Sequence, residues 1–290
     1  MLLIFFIIPL TLATVPLSLR QHGVLVVNGR IPSGRVPFDL SLGRVSRSAL
    51  GRVSQLPSPG AISNVALPCN TAVLSCPVVY HQDSQNVLAV GPGSHLIERY
   101  GGSVDVVRQQ QDTSAKLVVG EPETEFIASY CIPEGVLRIP VSNQDSQNSI
   151  LLSTAIGRRV SFAETAILGS SPAILRGSVE LFFDIFEVVR ELMRENEELP
   201  TFTGCGDARR RLPNISLSFH GLWAATQVAG YIELTPEDYT RRIETQDDVC
   251  ELMIIGDNAL PFLEINPLVI PGINIRSTLW EIVVCDASHT

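Results

Sequence analysis

The stretch A-I-L-G-S-S-P-A-I-L-R-G at residues 166–177 decides the fold that we expect for this chain. It reads as a short apolar strand, a glycine turn with hydroxyls at Ser170 and Ser171, and a second apolar strand. After it, Ser178 is a favourable N-cap, and apolar residues at i, i+3 and i+4 spacing predict a helix. A weaker copy of the loop, L-S-L-G-R-V-S-R-S-A-L-G, occupies residues 40–51. One such loop in each half predicts a pseudo-twofold protein with its site at the midline.

The composition of the 290 residues indicates an ordered, β-rich globular protein. The chain is 45% hydrophobic and 18% charged, and short apolar stretches separated by turn residues predict an all-β architecture. The net charge is −9 with scattered Lys and Arg, which argues against a nucleic-acid partner because phosphate binding needs a clustered basic face. No C-x-x-C, H-x-x-x-H or phosphate-cradling spacing occurs, so we expect neither a metal nor a cofactor.

The first residues predict a secretory protein. The apolar run M-L-L-I-F-F-I-I-P-L-T-L-A ends in small residues and predicts a signal peptide over residues 1–18. An uncleaved anchor is the alternative, since no basic residue precedes the run. We expect a monomer that is extracellular or in the endomembrane lumen, with no membrane contact after cleavage.

The sequon Asn214-Ile215-Ser216 predicts an N-linked glycan at Asn214. Six cysteines in such a chain predict three disulfides, whose connectivity the residues alone leave open.

Several segments, in order along the chain, resemble the motifs of the pepsin-like aspartic proteases, peptidase family A1. The resemblance runs from residue 23 to about residue 257 and is best in the second half. The matching segments are V-L-A-V-G-P-G at 87–93, S-A-K-L-V-V-G at 114–120, I-P-V-S at 139–142, L-P-N-I-S-L-S-F-H-G at 212–221, Y-I-E-L-T-P-E-D-Y at 231–239 and M-I-I-G-D at 253–257. The resemblance implies an all-β, bilobal fold with a central cleft and a shortened first lobe. Its lobes would span residues 19–140 and 141–290.

The same resemblance suggests how the cysteines pair. It implies the disulfides Cys69–Cys76 and Cys205–Cys250. Cys131 and Cys285 would then lie near the sheet between the lobes, one at the end of each half, and we expect them to pair as well.

The two loops lack the residues on which catalysis in that family depends. The family uses one Asp from each lobe, in the motif Asp-Thr/Ser-Gly. The two carboxylates share a proton, so that one accepts a proton from water while the other polarises the scissile carbonyl. In the first loop the Asp position holds Ser41, or Gly43 if the alignment is shifted by two. In the second loop it holds Ile167 or Gly169. The sequence therefore predicts a protease fold without catalytic residues.

We expect the cleft of this pseudoprotease to bind a peptide or protein by strand-edge hydrogen bonds. The residues expected to line it are Ser41, Gly43, Tyr80, Gly169, Ser170 and Ser171. Tyr80 is the candidate for the family's flap tyrosine, and a strand tyrosine packed on a sheet is the alternative.

Two other functions stay open at this point. One is an active acid endopeptidase that uses Asp39 and Glu164 in place of the missing pair. The other is a structural or storage protein on the same fold. A serine nucleophile at Ser170 or Ser171 is disfavoured, because no His is placed by the sequence to activate it. The pentapeptide Q-D-S-Q-N occurs at both 82–86 and 144–148; it is turn-like in composition and is either coincidence or a decayed duplication.

Overall fold

The computed structural model describes residues 13–19, 24–31, 34–43, 62–69, 77–82, 87–100, 102–108, 114–142, 148–194, 199–221 and 224–287. Strands dominate these residues, and the helices are short. The strands, in chain order, are β1 (Ala13–Leu19), β2 (Leu25–Ile31), β3 (Gly34–Ser41), β4 (Ile62–Ala66), β5 (Val78–Gln82), β6 (Val87–Ala89), β7 (Ser103–Arg108), β8 (Ala115–Val119), β9 (Leu137–Pro140), β10 (Ser149–Ile156), β11 (Arg159–Leu168), β12 (Leu175–Gly177), β13 (Met193–Arg194), β14 (Thr201–Thr203), β15 (Ile215–Gly221), β16 (Ala224–Leu234), β17 (Thr240–Arg242), β18 (Val249–Leu252), β19 (Ile254–Gly256), β20 (Leu263–Ile265), β21 (Ile273–Thr278) and β22 (Glu281–Asp286). The helices are α1 (His95–Tyr100), α2 (Glu123–Tyr130), α3 (Phe183–Val189), α4 (Cys205–Arg209) and α5 (Pro236–Tyr239). The predicted all-β class is confirmed.

The first half of the chain forms one large curled sheet. Its strand order is β5-β4-β2-β1-β8-β7-β21-β22-β9, and β3 pairs with both β2 and β6. We refer to its part β8-β7-β21-β22-β9 as the interlobe sheet. Because β21 and β22 pair between β7 and β9, the end of the chain crosses back to join strands of the first half. The predicted C-terminal lobe, residues 141–290, thus contributes two strands to this sheet.

The first described strand overlaps the predicted signal peptide. β1 pairs with β2 and β8, and its Val15 is fully buried. Residues 13–18 of the predicted leader therefore lie in the folded sheet. The leader itself and the lobe boundary at residue 140 stay predictions.

The second half of the chain forms a seven-stranded and a four-stranded sheet. The larger has the order β16-β15-β10-β11-β20-β12-β19, and the smaller has the order β13-β14-β18-β17. The sequence explains the layering, since β10 alternates between half-buried and buried side chains along its length, as expected for a strand with one face on the core. β7 is buried on both faces, because α2 covers the side of the interlobe sheet that the main core does not.

The helix that follows the second loop is shorter than the sequence predicts. It begins at Phe183, and not after Ser178. The Ser178 hydroxyl does accept a hydrogen bond from Leu181 N at 3.3 Å, so this serine caps a turn that precedes the helix. The apolar periodicity continues through the turn, which is why the pattern alone places the helix start too early.

Two of the three expected disulfides lie within the described residues and are confirmed. Cys131 pairs with Cys285, and Cys205 pairs with Cys250, each with a Cα–Cα separation of 5.4 Å. Cys69 is also disulfide-bonded, but Cys76 lies outside the described residues, so the pair Cys69–Cys76 stays a prediction.

Candidate functional site

The first loop begins where β3 ends. Alternation along β3 buries Phe38 and Leu40 in the core and places Asp39 on the other face. β3 runs parallel to β6, with Ser41 opposite Ala89, and Ser41 O accepts a hydrogen bond from Val90 N at 2.8 Å. The Ser41 hydroxyl accepts a hydrogen bond from Gly43 N at 3.0 Å, which closes a tight turn at the sheet edge.

The second loop begins where β11 ends. β11 runs parallel to β20, with Leu168 opposite Ile265, and Gly169 N donates to Ile265 O at 2.9 Å. Ser171 is held through every polar atom: its hydroxyl accepts from Ala173 N at 3.1 Å, its carbonyl accepts from Asn266 Nδ2 at 2.6 Å, and its N–H donates to Glu264 Oε1 at 3.3 Å. Ser170 is exposed.

The structure brings the two loops into contact. Ser41 Oγ donates across the midline to Gly169 O at 3.5 Å. Gly43 packs so closely that a Cβ at this position would lie 2.6 Å from Leu168 O, which is closer than real Cβ atoms approach an oxygen. The glycine is therefore required for the contact between the halves.

Asn148 joins the loops, although the sequence gives no hint of its role. Its side-chain amide donates to Leu42 O at 2.7 Å and to Pro92 O at 2.9 Å. The backbone carbonyl of Asn148 accepts a hydrogen bond from Leu168 N at 2.8 Å. The side chain is fully buried. Asn148 is the last residue of the repeated pentapeptide Q-D-S-Q-N, the one signal that could have drawn attention to it. We call Ser41–Gly43, Asn148 and Leu168–Ser171 the midline junction.

No pair of carboxylates faces across the midline junction among the described residues. Ser41, Gly43, Ile167 and Gly169, the residues that the resemblance assigns to the Asp positions, lie in or next to the two loops, and that assignment stays a prediction. The place beside Gly169 is occupied by the side chain of Glu264, since a Cβ on Gly169 would overlap its carboxylate. One carboxylate from β20 thus lies where a side chain of the second loop would project.

Glu264 is held by its neighbours. Its side chain is 15% exposed, and Oε2 lies 3.9 Å from Arg176 Nη1. The same guanidinium forms a 2.6 Å ion pair with Asp257. The hydrogen bond from Ala259 N and the ion pair with Arg176 hold the pKa of Asp257 below its usual value. Arg176 thus lies between the carboxylates of Asp257 and Glu264.

The alternative catalytic acids do not meet at the junction. Glu164 is exposed on β11 opposite Leu152, four residues before Leu168, which is about 13 Å along a strand. Asp39 lies on β3 between Val26 and Val87 of the neighbouring strands. The two acids thus lie on strands of different sheets.

The remaining predicted site residues lie elsewhere. The backbone of Tyr80 is in β5, opposite Asn64 of β4, and its side chain lies outside the described part of the chain. Asn214 is exposed before β15 and donates to Glu233 Oε1 at 2.7 Å.

The described residues contain no cluster of three or more His, Cys, Asp or Glu side chains that could hold a metal ion. None of the described helices is long and apolar enough to cross a membrane.

A Ser–His contact and an apolar cavity lie away from the junction. Ser153 Oγ lies 2.8 Å from His220 Nε2, but Nδ1 of this histidine has no hydrogen-bond partner within the described residues, so nothing orients the ring as nucleophilic catalysis requires. An apolar cavity of about 420 Å³ lies against α3 and is lined in part by Phe183 and Phe186.

The architecture defines an all-β protein with the two-lobed pepsin-like fold. Among solved structures, the chain is similar to basic 7S globulin from soybean, with 12% identity, a TM-score of 0.61, and coverage of 97% of this chain and 96% of that one. It is also similar to conglutin gamma, a basic 7S globulin from lupine seeds, with 11% identity, a TM-score of 0.60, and coverage of 96% and 95%. Both neighbours have the aspartic-protease-like fold. No family model and no curated protein matches the chain.

Proposed function

We propose that this chain is a non-catalytic protein of the pepsin-like fold with a structural or storage role in a secretory or lumenal compartment. The observation that carries the proposal is the midline junction, where the second loop has a glycine and the side chain of Glu264 occupies the space beside it. This supports a protein that keeps the fold without an acid pair at the junction.

The junction lacks what peptide hydrolysis requires. Two carboxylates a few Å apart share one proton because both cannot ionise together, and this gives one acid and one base at the same pH. Among the described residues, the carboxylate beside the second loop is that of Glu264, which accepts a hydrogen bond from Ser171 N and lies near Arg176. Its counterpart across the midline is the hydroxyl of Ser41. An alkyl hydroxyl without a neighbouring base does not activate water at acid pH.

The comparisons support the storage role over ligand binding. The two neighbours are 7S globulins, one of them named from lupine seeds. The disulfides fit an oxidising secretory or lumenal compartment. One property departs from the neighbours, since both are named basic while this chain has a net charge of −9. We therefore do not expect it to share partners that their basic charge would attract.

Peptide binding in the cleft is the second candidate function. It is favoured by the exposure of Ser170 at the junction, because an exposed loop backbone offers hydrogen bonds to an extended peptide. A ligand bound there would contact both loops.

The experiment that separates these functions uses the purified mature chain at about pH 4. Cleavage of a denatured protein substrate is measured with and without a statine-type inhibitor, and binding of the inhibitor and of a peptide library is measured by calorimetry. We expect neither cleavage nor binding. Binding that is lost in Ser170→Trp, but kept in the control Ser178→Trp, would establish the cleft ligand instead. Inhibitor-sensitive cleavage that disappears in Glu264→Gln would overturn the proposal.

A storage role also has a positive test. Quantitative mass spectrometry of the tissue that makes the protein is expected to show accumulation to high abundance, followed by degradation when the tissue resumes growth. A constant low level throughout would contradict storage.

A further inference from the structure

A cluster of three charged residues is buried between the interlobe sheet and the segment leading into α2, away from the midline junction. Asp105 on β7 lies directly opposite Arg276 on β21. Arg276 Nη1 donates to both Asp105 oxygens, at 3.0 and 2.9 Å, and Nη2 donates to Glu121 O at 2.6 Å. The side chain of Glu121 is hydrogen-bonded to that of Asp105. We call Asp105, Glu121 and Arg276 the interlobe cluster.

The cluster is almost completely shielded from water. The exposed fractions are 0% for Asp105, 6% for Glu121 and 5% for Arg276. The ring of Phe126 from α2 lies 5.7 Å from the guanidinium carbon of Arg276. A small apolar core surrounds the same face of the sheet, and it includes the disulfide between Cys131 and Cys285. Charges in such a place interact strongly because little water screens them.

The charges of the cluster do not balance when both acids are ionised. The one guanidinium bonds to the carboxylate of Asp105 but meets Glu121 through its backbone carbonyl. Oε2 of Glu121 is buried without a hydrogen-bond partner in the part of the chain that the structure describes. Burial raises the pKa of Asp105 to about 8 and also raises the pKa of Glu121, while Arg276 opposes both shifts. A single proton shared by the two carboxyl groups removes the excess negative charge.

Two other charged groups act on the pKa of Glu121. Lys116 on β8 lowers it, and Glu125 on α2 raises it. Lys116 is directed towards Tyr130, donating to its hydroxyl at 3.2 Å. Neither group enters the contacts between Asp105 and Arg276, so the excess charge stays within the cluster.

We propose that the interlobe cluster is a proton-dependent clamp: the proton shared by Asp105 and Glu121 holds β7, β21 and the start of α2 together, so that the joint between the halves is firm in acid and weakens when the proton is lost. The clamp rests on the contacts of the cluster and does not depend on the proposed function.

The direction of the effect follows from proton linkage. In the unfolded chain, both carboxyl groups have pKa values of about 4. In the folded protein their pKa values are higher, so between the two pKa values the folded state binds more protons. The stabilisation is therefore complete in acid and is lost as the pH rises from about 4 to about 8. For each proton that is retained only in the folded state, the unfolding equilibrium constant rises up to tenfold per pH unit.

The test compares urea unfolding of the oxidised full chain at about pH 5 and about pH 8 with that of Glu121→Gln. The glutamine can still donate a hydrogen bond to Asp105 but removes the second titrating acid. We expect the unfolding equilibrium constant of the natural chain to rise at least tenfold more over this range than that of Glu121→Gln. Glu134→Gln is the control, because it removes an exposed acid that does not act on the pKa of Asp105 or Glu121, and it is expected to keep the full pH dependence.

A second measurement does not depend on the variant folding. The infrared spectrum of the natural folded chain at about pH 6 is expected to contain the band of a buried protonated carboxyl group. Its absence at that pH would overturn the clamp, and so would an equal pH dependence in the natural chain and Glu121→Gln.

Discussion

At the scale of single residues, the most informative position is Gly169. A side chain there would overlap the Glu264 carboxylate, which could then no longer accept from Ser171 N or lie near Arg176. We expect Gly169→Ala to lower the free energy of unfolding by about 1–2 kcal/mol, the cost of one charge-assisted hydrogen bond and a weak ion pair. Urea unfolding measures the loss.

The Gly169 prediction has an internal test and a control. In the double variant Gly169→Ala, Glu264→Ala the obstruction is gone, so the combined loss should be smaller than the sum of the single losses. The control is Gly206→Ala in α4, where a Cβ would meet nothing within 4 Å, and which is expected to be neutral or slightly stabilising. Strict additivity at Gly169 and Glu264 would show that they do not compete for the same space.

At the scale of structural elements, the two midline loops depend on Asn148 to remain together. Its amide satisfies the buried carbonyls of Leu42 and Pro92 in the first half. Leaving two buried acceptors without donors costs about 1–3 kcal/mol each. We expect Asn148→Ala to lower the free energy of unfolding by roughly 3 kcal/mol, and Asn148→Asp to lower it more at neutral pH, where a carboxylate would repel both carbonyls.

The matched control for Asn148 is Asn258→Ala. Asn258 is exposed and accepts one hydrogen bond, from Val179 N at 3.0 Å, so its replacement should cost about 0.5–1 kcal/mol. Equal losses for the two substitutions, measured by urea unfolding, would mean that Asn148 does not join the halves.

The elements also show what sequence reasoning could reach. Period-two patterns and glycine turns predict β3, β11 and the loops that follow them, because these features are local. The contacts of Asn148 with Leu42 and of Glu264 with Gly169 span roughly a hundred residues, and no local pattern encodes them. The interlobe cluster was missed for the same reason: Asp105 and Arg276 each interrupt an apolar strand, but only the pairing of β7 with β21 places them opposite each other.

At the scale of the whole molecule, the disulfide between Cys131 and Cys285 closes the longest covalent loop among the described pairs. It joins residues 154 apart in sequence, whereas Cys205 and Cys250 are 45 apart. In the chain-entropy account a longer loop restricts the unfolded state more, with stabilisation of roughly 5 kcal/mol for the first pair and 4 kcal/mol for the second. This disulfide also links the residue that follows α2, Cys131, to Cys285 of β22, beside the interlobe cluster.

We therefore expect Cys131→Ser with Cys285→Ser to destabilise the chain more than Cys205→Ser with Cys250→Ser, by about 1 kcal/mol in urea unfolding. The two double variants serve as controls for each other, because both remove one buried disulfide with the same Cα–Cα separation of 5.4 Å. Removing the interlobe disulfide should also increase hydrogen exchange in β22 and α2, since the covalent link between them is lost. A greater loss from the Cys205–Cys250 pair would show that local packing in the second half, and not closure of the whole molecule, governs the stability gained from these disulfides.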